Sequence, residues 1–143
     1  MKRTGKLKTL DTALRIERQL EKVIEMSLLE IQAKIRKCHE AIAELEAEIE
    51  NACQHCETED TATLREAHYQ HEVLMRKKIA EQRETIETLL LERGKVEKLK
   101  AEQQQKIEGL ESLVEKMEQE ITYEMNRQQS LDLMDSYLRN LKS

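Results

Sequence analysis

The stretch "IEMSLLEIQAKIRKCHEAIAELEAEI", residues 24–49, decides the fold because its apolar residues recur at a fixed spacing. They stand alternately four and three positions apart, which keeps them in one stripe on a helix that supercoils left-handedly around a partner helix. The same heptad extends back to Leu7 and forward to Cys56. The pattern predicts a coiled-coil helix over about residues 5–56, with the following seam residues in the quoted stretch: Ile24, Leu28, Ile31, Ile35, Cys38, Ile42, Leu45 and Ile49.

A second helix is expected after the heptad stops at "ETEDTAT", where threonine and aspartate favour caps and turns over helix interiors. Thr61 or Thr63 is expected to cap it, since Glu66 follows Thr63 at the capping-box spacing. Apolar residues then return at a looser helical spacing over about residues 63–141. With a turn near residues 57–62, the chain is predicted to form an all-α antiparallel two-helix coiled-coil hairpin and a single elongated domain.

The heptad has one interruption, at Glu17 and Glu21. Ile16, Leu20 and Val23 stand beside it and are expected to broaden the apolar face. Pairing the helices around the turn places the two glutamates opposite the part of the second helix that holds Lys98 and Lys100. A polar seam with lysines as counter-charges is therefore predicted there, and such a seam sets register at a cost in stability.

The same pairing makes the second helix longer than the first. Leu7 falls opposite about residue 111, so about the last 30 residues, roughly 45 Å of helix, overhang the first helix. An isolated helix with an apolar face in water is typical of a segment that binds a partner. Pairing of two overhangs in a homodimer is the alternative. The predicted partner-binding residues of the overhang are Leu131, Met134, Tyr137, Leu138 and Leu141.

Tyr69 and Met75 lie just past the turn and fall off the seam, so they are predicted to form a second exposed docking surface.

Four possible metal ligands also surround the turn. Cys53 and Cys56 form a C-x2-C pair, and His68 and His71 follow at nearly the spacing of a two-Cys, two-His zinc finger. The heptad runs directly into this pair, so we interpret the cysteines as structural and keep zinc as a minority option. A redox role is not expected, because no βαβ pattern surrounds the pair.

Composition limits the other classes of function. The chain has 24 basic and 29 acidic residues interleaved, without the clustered basic face of a nucleic-acid binder. No apolar run approaches the 20 or so residues of a membrane span, and no signal peptide is evident. Three cysteines without a signal predict a reducing, cytoplasmic compartment. No phosphate-binding loop or nucleophile motif is present, so neither enzymatic activity nor a cofactor is expected.

The opening "LKTLDTALRIERQLEKVIEMSLLEIQ", residues 7–32, the cysteine-bearing heptad and the polar-rich second helix resemble the FliJ/YscO/HrpO family. These are small stalk proteins of flagellar and type III secretion export machinery, and the best local match is Leu7, Leu10, Leu14, Arg15 and Glu17. The resemblance implies a hairpin similar to the γ subunit of rotary ATPases. It also implies docking in the central hole of a hexameric export ATPase, contact with an export gate protein and escort of export chaperones, without catalysis.

Three other functions fit a hairpin of this length. A C-x2-C at a coiled-coil apex resembles the zinc hook by which DNA-repair ATPases join two molecules, so a zinc-linked tether is one alternative. A homodimeric scaffold that pairs its overhangs is another. A prefoldin-like chaperone subunit is the third, although it requires strands between the helices, where the sequence shows no strand pattern.

Overall fold

The structure, a computed structural model, describes residues 2–56 and 61–142, with side chains over 4–55 and 61–142. Two helices make up all of this except Thr61, and they pack against each other as the predicted all-α hairpin. No strand occurs in the described residues. Residues 57–60, which hold most of the predicted turn, lie outside them.

Helix α1 spans Lys2–Cys56 and α2 spans Ala62–Lys142, so three of the four boundaries differ by one to three residues from the prediction. The backbone N–H of Arg65 donates to the carbonyl of Thr61 at 3.2 Å. Thr61 therefore accepts the first intrahelical bond of α2 and occupies the cap position, whereas Thr63 lies inside the helix.

Contacts group the chain into two compact units. Unit 1 consists of Met1–Val23 with Lys100–Ser143, and unit 2 is Ile24–Leu99. Each unit contains part of α1 and part of α2. The organisation of the whole chain as one domain stays a prediction.

Unit 2 has an apolar seam. Ile31 and Ile35 of α1 form a buried cluster with Leu89 of α2, and Cys38 and Val96 pack against it. This confirms the α1 heptad, because three of its members lie where the pattern places them. Four further buried residues extend the apolar interior of unit 2: Leu28, Met75, Ile79 and Ile86.

Unit 1 combines apolar and polar packing. Leu14 and Ile107 are buried, and so is the amide side chain of Gln103. Nε2 of Gln103 donates to the backbone carbonyl of Glu17 at 2.8 Å and also to the Glu17 carboxylate. The sequence predicts lysine partners for the glutamates of this seam, whereas in the structure the partner of Glu17 is the uncharged amide of Gln103. Beside it, Arg18 Nη2 and Glu111 Oε1 form an exposed ion pair at 3.1 Å.

Candidate functional site

The packed part of unit 1 ends close to Ile121. Met117 of α2 lines an open groove of about 510 Å³ with residues of the first three turns of α1, including Lys6 and Leu10. Four α2 residues at alternate spacings of four and three are still half-buried: Leu110, Val114, Met117 and Ile121. They continue the seam as far as Ile121.

Beyond Ile121 the helix continues as a segment that we call the arm, residues 122–142, in which every residue is exposed. At 1.5 Å per residue the arm is about 30 Å long. The predicted overhang is confirmed, but the prediction that it begins near residue 112 is wrong. The seam runs further because Leu10 lies beside Met117, whereas the predicted register places Leu7 opposite residue 111.

The arm has an apolar stripe made of Leu131, Met134, Leu138 and Leu141, spaced three, four and three residues apart. We call these four residues the arm stripe. Their side chains are between 48% and 65% exposed, and Tyr137 beside them is 64% exposed. All five predicted partner-binding residues of the overhang are therefore accessible on one stretch of helix.

The arm stripe does not simply extend the seam. Leu131 and Leu138 occupy the heptad position of Met117, so these two residues continue the seam. The other seam position, that of Ile121, is polar in the arm, at Gln128 and Asp135. The apolar side is therefore partly displaced around the helix, toward Met134 and Leu141.

A second exposed apolar stripe lies on α1 in unit 1. Ile16, Leu20 and Val23 are 52%, 47% and 60% exposed. The sequence predicts that these residues broaden the packed face, whereas in the structure they stand outside it. The reason is that the seam position between them belongs to Glu17, which is bonded to Gln103. The interruption of the heptad by a charged residue is the sequence signal for this surface.

The predicted docking surface near the turn is only partly present. Tyr69 is 61% exposed, but Met75 is only 4% exposed, the lowest value among the buried apolar residues of the described part of the chain. Met75 lies four residues before Ile79, which is also buried, so it belongs to the α2 seam of unit 2. The expectation that Met75 is exposed is therefore wrong.

Two of the four predicted metal ligands lie together. Cys53 and His68 line one cleft of about 220 Å³. His71 Nε2 instead lies 3.6 Å from Glu48 Oε1, and the side chain of Cys56 lies outside the described residues. Among the described side chains, no group of three His, Cys, Asp or Glu could hold a metal ion.

The surfaces of unit 1 thus offer two bare apolar stripes suited to binding another helix. Over the described residues, neither helix contains a segment long and apolar enough to cross a membrane. Comparison of the chain with protein-family models, with curated proteins and with solved structures finds no match.

Proposed function

We propose that this chain is a non-enzymatic stalk or adaptor of a type III secretion or flagellar export apparatus. In this role it docks on a hexameric export ATPase and contacts the export gate protein or export chaperones in the cytoplasm. The observation that carries the proposal is the arm, residues 122–142, which is wholly exposed and has an apolar stripe.

The arm has the dimensions of a segment that enters a narrow channel. A single helix with its side chains is about 10–12 Å wide, so the arm is narrower than the packed helix pair from which it continues. Its apolar stripe supplies a surface for the channel wall, and its polar side stays solvated until docking. Tyr123 and Tyr137 are exposed and give the arm two aromatic side chains for the same purpose.

The helix pair supports the arm mechanically. Helix α2 is unbroken from Ala62 to Lys142, and the whole chain has no proline that would kink it. The resemblance to the FliJ/YscO/HrpO family implies a two-helix hairpin as well. A packed helix pair with a bare helical end is what a stalk requires.

The proposal is tested with the purified chain and the purified export ATPase of the same organism. We expect the full chain to co-sediment with the ATPase hexamer and to raise its ATP hydrolysis. A chain ending at Ile121 should lose both effects. A matched control, Arg127→Ala, changes the polar part of the arm and should retain them.

Absence of co-sedimentation with the full chain would refute the stalk function. Binding that survives truncation at Ile121 would instead show that another surface docks on the ATPase. Gate protein and chaperones can replace the ATPase in the same assay, which then separates the partners by the segment that each requires.

A zinc-linked tether is the second candidate, because Cys53 and His68 share one cleft beside the turn. Elemental analysis after dialysis separates it from the stalk. One zinc per chain, or one per two chains, lost in Cys53→Ala would favour the tether, whereas the stalk proposal expects no stoichiometric zinc.

A further inference from the structure

Two apolar stripes of unit 1 have the same spacing. On α1, the half-buried Ala13 precedes the exposed Ile16, Leu20 and Val23, and these four residues stand three, four and three positions apart. We call them the α1 stripe. The arm stripe, Leu131 to Leu141, has the identical three-four-three spacing. Two helices with the same spacing of apolar residues can pack in parallel, each layer of one meeting a layer of the other.

The two stripes cannot meet within one chain. The α1 stripe lies level with the middle of unit 1, where Glu17 contacts Gln103 and Arg18 contacts Glu111. The arm begins after Ile121 and leads away from those residues, because α2 is one continuous helix to Lys142. A match between two surfaces of one chain that cannot touch each other points to contact between copies.

We propose that two copies of this chain form a reciprocal dimer in which the arm stripe of each packs on the α1 stripe of the other. The arm runs parallel to its partner's α1. Exchange of identical contacts across a twofold axis closes the dimer, so no filament results. The four layers pair Leu131 with Ala13, Met134 with Ile16, Leu138 with Leu20, and Leu141 with Val23 of the opposite copy.

Charges beside this seam are compatible with the pairing. In a parallel coil the flanking positions place Asp135 near Thr12, Lys142 near Gln19 and Ser130 near Glu17 of the other copy, and none of these pairs has like charges. Antiparallel pairing of two arms through Leu131 with Leu141 and Met134 with Leu138 brings Asp135 opposite Asp135. That arrangement sets two carboxylates against each other at the twofold axis.

Burial also favours the reciprocal arrangement. It covers both arm stripes and both α1 stripes, whereas pairing of arm with arm leaves both α1 stripes exposed. Stable interfaces bury about 1,200–2,000 Å² in total, and two separate helix contacts approach that range better than one.

The dimer goes beyond the proposed function and does not depend on it. In the dimer the arm is covered, so a protein that docks on the arm must compete with the second copy. Self-association would then hold the chain in a state closed to partners at high concentration. If the dimer forms but the ATPase does not bind, only the stalk proposal fails. If the ATPase binds but no dimer forms, only the dimer proposal fails.

Sedimentation equilibrium of the full chain tests the dimer. We expect a monomer–dimer equilibrium in which Leu138→Glu and Leu20→Glu each raise the dimer Kd by roughly tenfold or more, because each places a carboxylate in the apolar seam. Leu133→Glu is the matched control, since Leu133 is 73% exposed and stands off the arm stripe. Its Kd should be unchanged.

Far-UV circular dichroism confirms that each variant keeps its helices. A wild-type chain that stays monomeric throughout the concentration range overturns the proposal. A dimer weakened by Leu138→Glu and untouched by Leu20→Glu also overturns it, since that result identifies pairing of arm with arm.

The double variant Leu20→Glu with Leu138→Lys provides the sharpest test. In the reciprocal dimer the new glutamate of one copy meets the new lysine of the other, so the double variant should dimerise at least about tenfold more tightly than Leu20→Glu alone. If Leu20→Glu and Leu138→Lys each weaken the dimer and the double variant dimerises no more tightly than either, the pairing of Leu20 with Leu138 is overturned.

Discussion

The seams of unit 2 and unit 1 use the same two helices in different ways. In unit 2, Ile31, Ile35 and Leu89 form a buried apolar cluster. In unit 1, the corresponding heptad position is Glu17, and its partner is the buried amide of Gln103. Apolar residues are not missing from unit 1, since Leu20 is present but stands 47% exposed beside the seam.

This difference separates two tasks of a coiled coil. Apolar layers stabilise the helix pair but tolerate a shift by a whole heptad, because each layer resembles the next. The amide–carboxylate pair fits only one register, since a shift leaves a buried Gln103 without its acceptors. Because Glu17 occupies the seam position, Ile16, Leu20 and Val23 beside it are exposed and available to another chain.

The largest effect is expected from the apolar seam. Leu89→Ala should lower the free energy of unfolding by about 2–3 kcal/mol, because it removes a buried side chain from the cluster and leaves a cavity or a wet gap. Urea denaturation followed by circular dichroism measures the change. Leu91→Ala is the control, as Leu91 is exposed, and it should change stability by less than about 0.5 kcal/mol. Equal effects at the two positions would contradict the seam described for unit 2.

The polar seam should respond in a non-additive way. Gln103→Leu should lower the free energy of unfolding by about 1–2 kcal/mol, because the half-buried Glu17 carboxylate loses its donor. Adding Glu17→Leu should restore or exceed the original stability, since two apolar groups can then pack together. Gln104→Leu, at an exposed neighbour, should be nearly neutral. Additive losses in the double variant would show that the two side chains are not coupled.

Backbone effects should be equal in the two units. Gly94 of unit 2 and Gly109 of unit 1 are both helical, and a Cβ added at either meets no atom within 4 Å. Alanine at each should therefore raise the free energy of unfolding by about 0.5–1 kcal/mol. Thermal denaturation detects this, and Ala80→Gly should show the opposite sign at an exposed site. A gain at one glycine alone would show that the helix is frayed at the other.

The smallest effect on stability is expected from loss of the arm. Removal of residues 122–143 should change the free energy of unfolding by less than about 0.5 kcal/mol, since none of residues 122–142 is buried. The measurement is made at a concentration where the chain is monomeric. Truncation after Lys106, which also removes the buried Ile107, should be clearly destabilising. A large loss from the shorter truncation would mean that the arm packs on the rest of the chain.

The hairpin and the α1 seam could be predicted because Ile31, Ile35 and Cys38 belong to a nearly unbroken heptad, which has one solution on a helix. The five arm residues could also be predicted, since the overhang follows from the difference in helix length. The burial of Met75 could not be predicted, because apolar residues of α2 occur on several sides of the helix and their spacing alone does not identify the seam.

Three further features of unit 1 depend on tertiary packing. Glu17 could be assigned to a polar layer, but the choice of Gln103 over a lysine depends on which side chain is enclosed between the helices. The start of the arm depends on the register of the two helices, and Leu10 lies beside Met117 instead of about nine residues earlier in α2, so the arm starts about ten residues later than predicted. Exposure of Ile16, Leu20 and Val23 follows only once Glu17 is known to fill the seam.

The continuity of α2 past Ile121 has a consequence for the arm's reach. An isolated helix of about 20 residues is marginal in water because its first turn is costly to form, but the packed part of α2 already supplies that nucleus. The arm can therefore lose helical structure only by fraying from its C-terminal end, one residue at a time. The average number of helical residues in the arm should therefore fall on warming and rise when a partner binds the last turns. How far this protein extends would then be set by temperature and occupancy as much as by its number of residues.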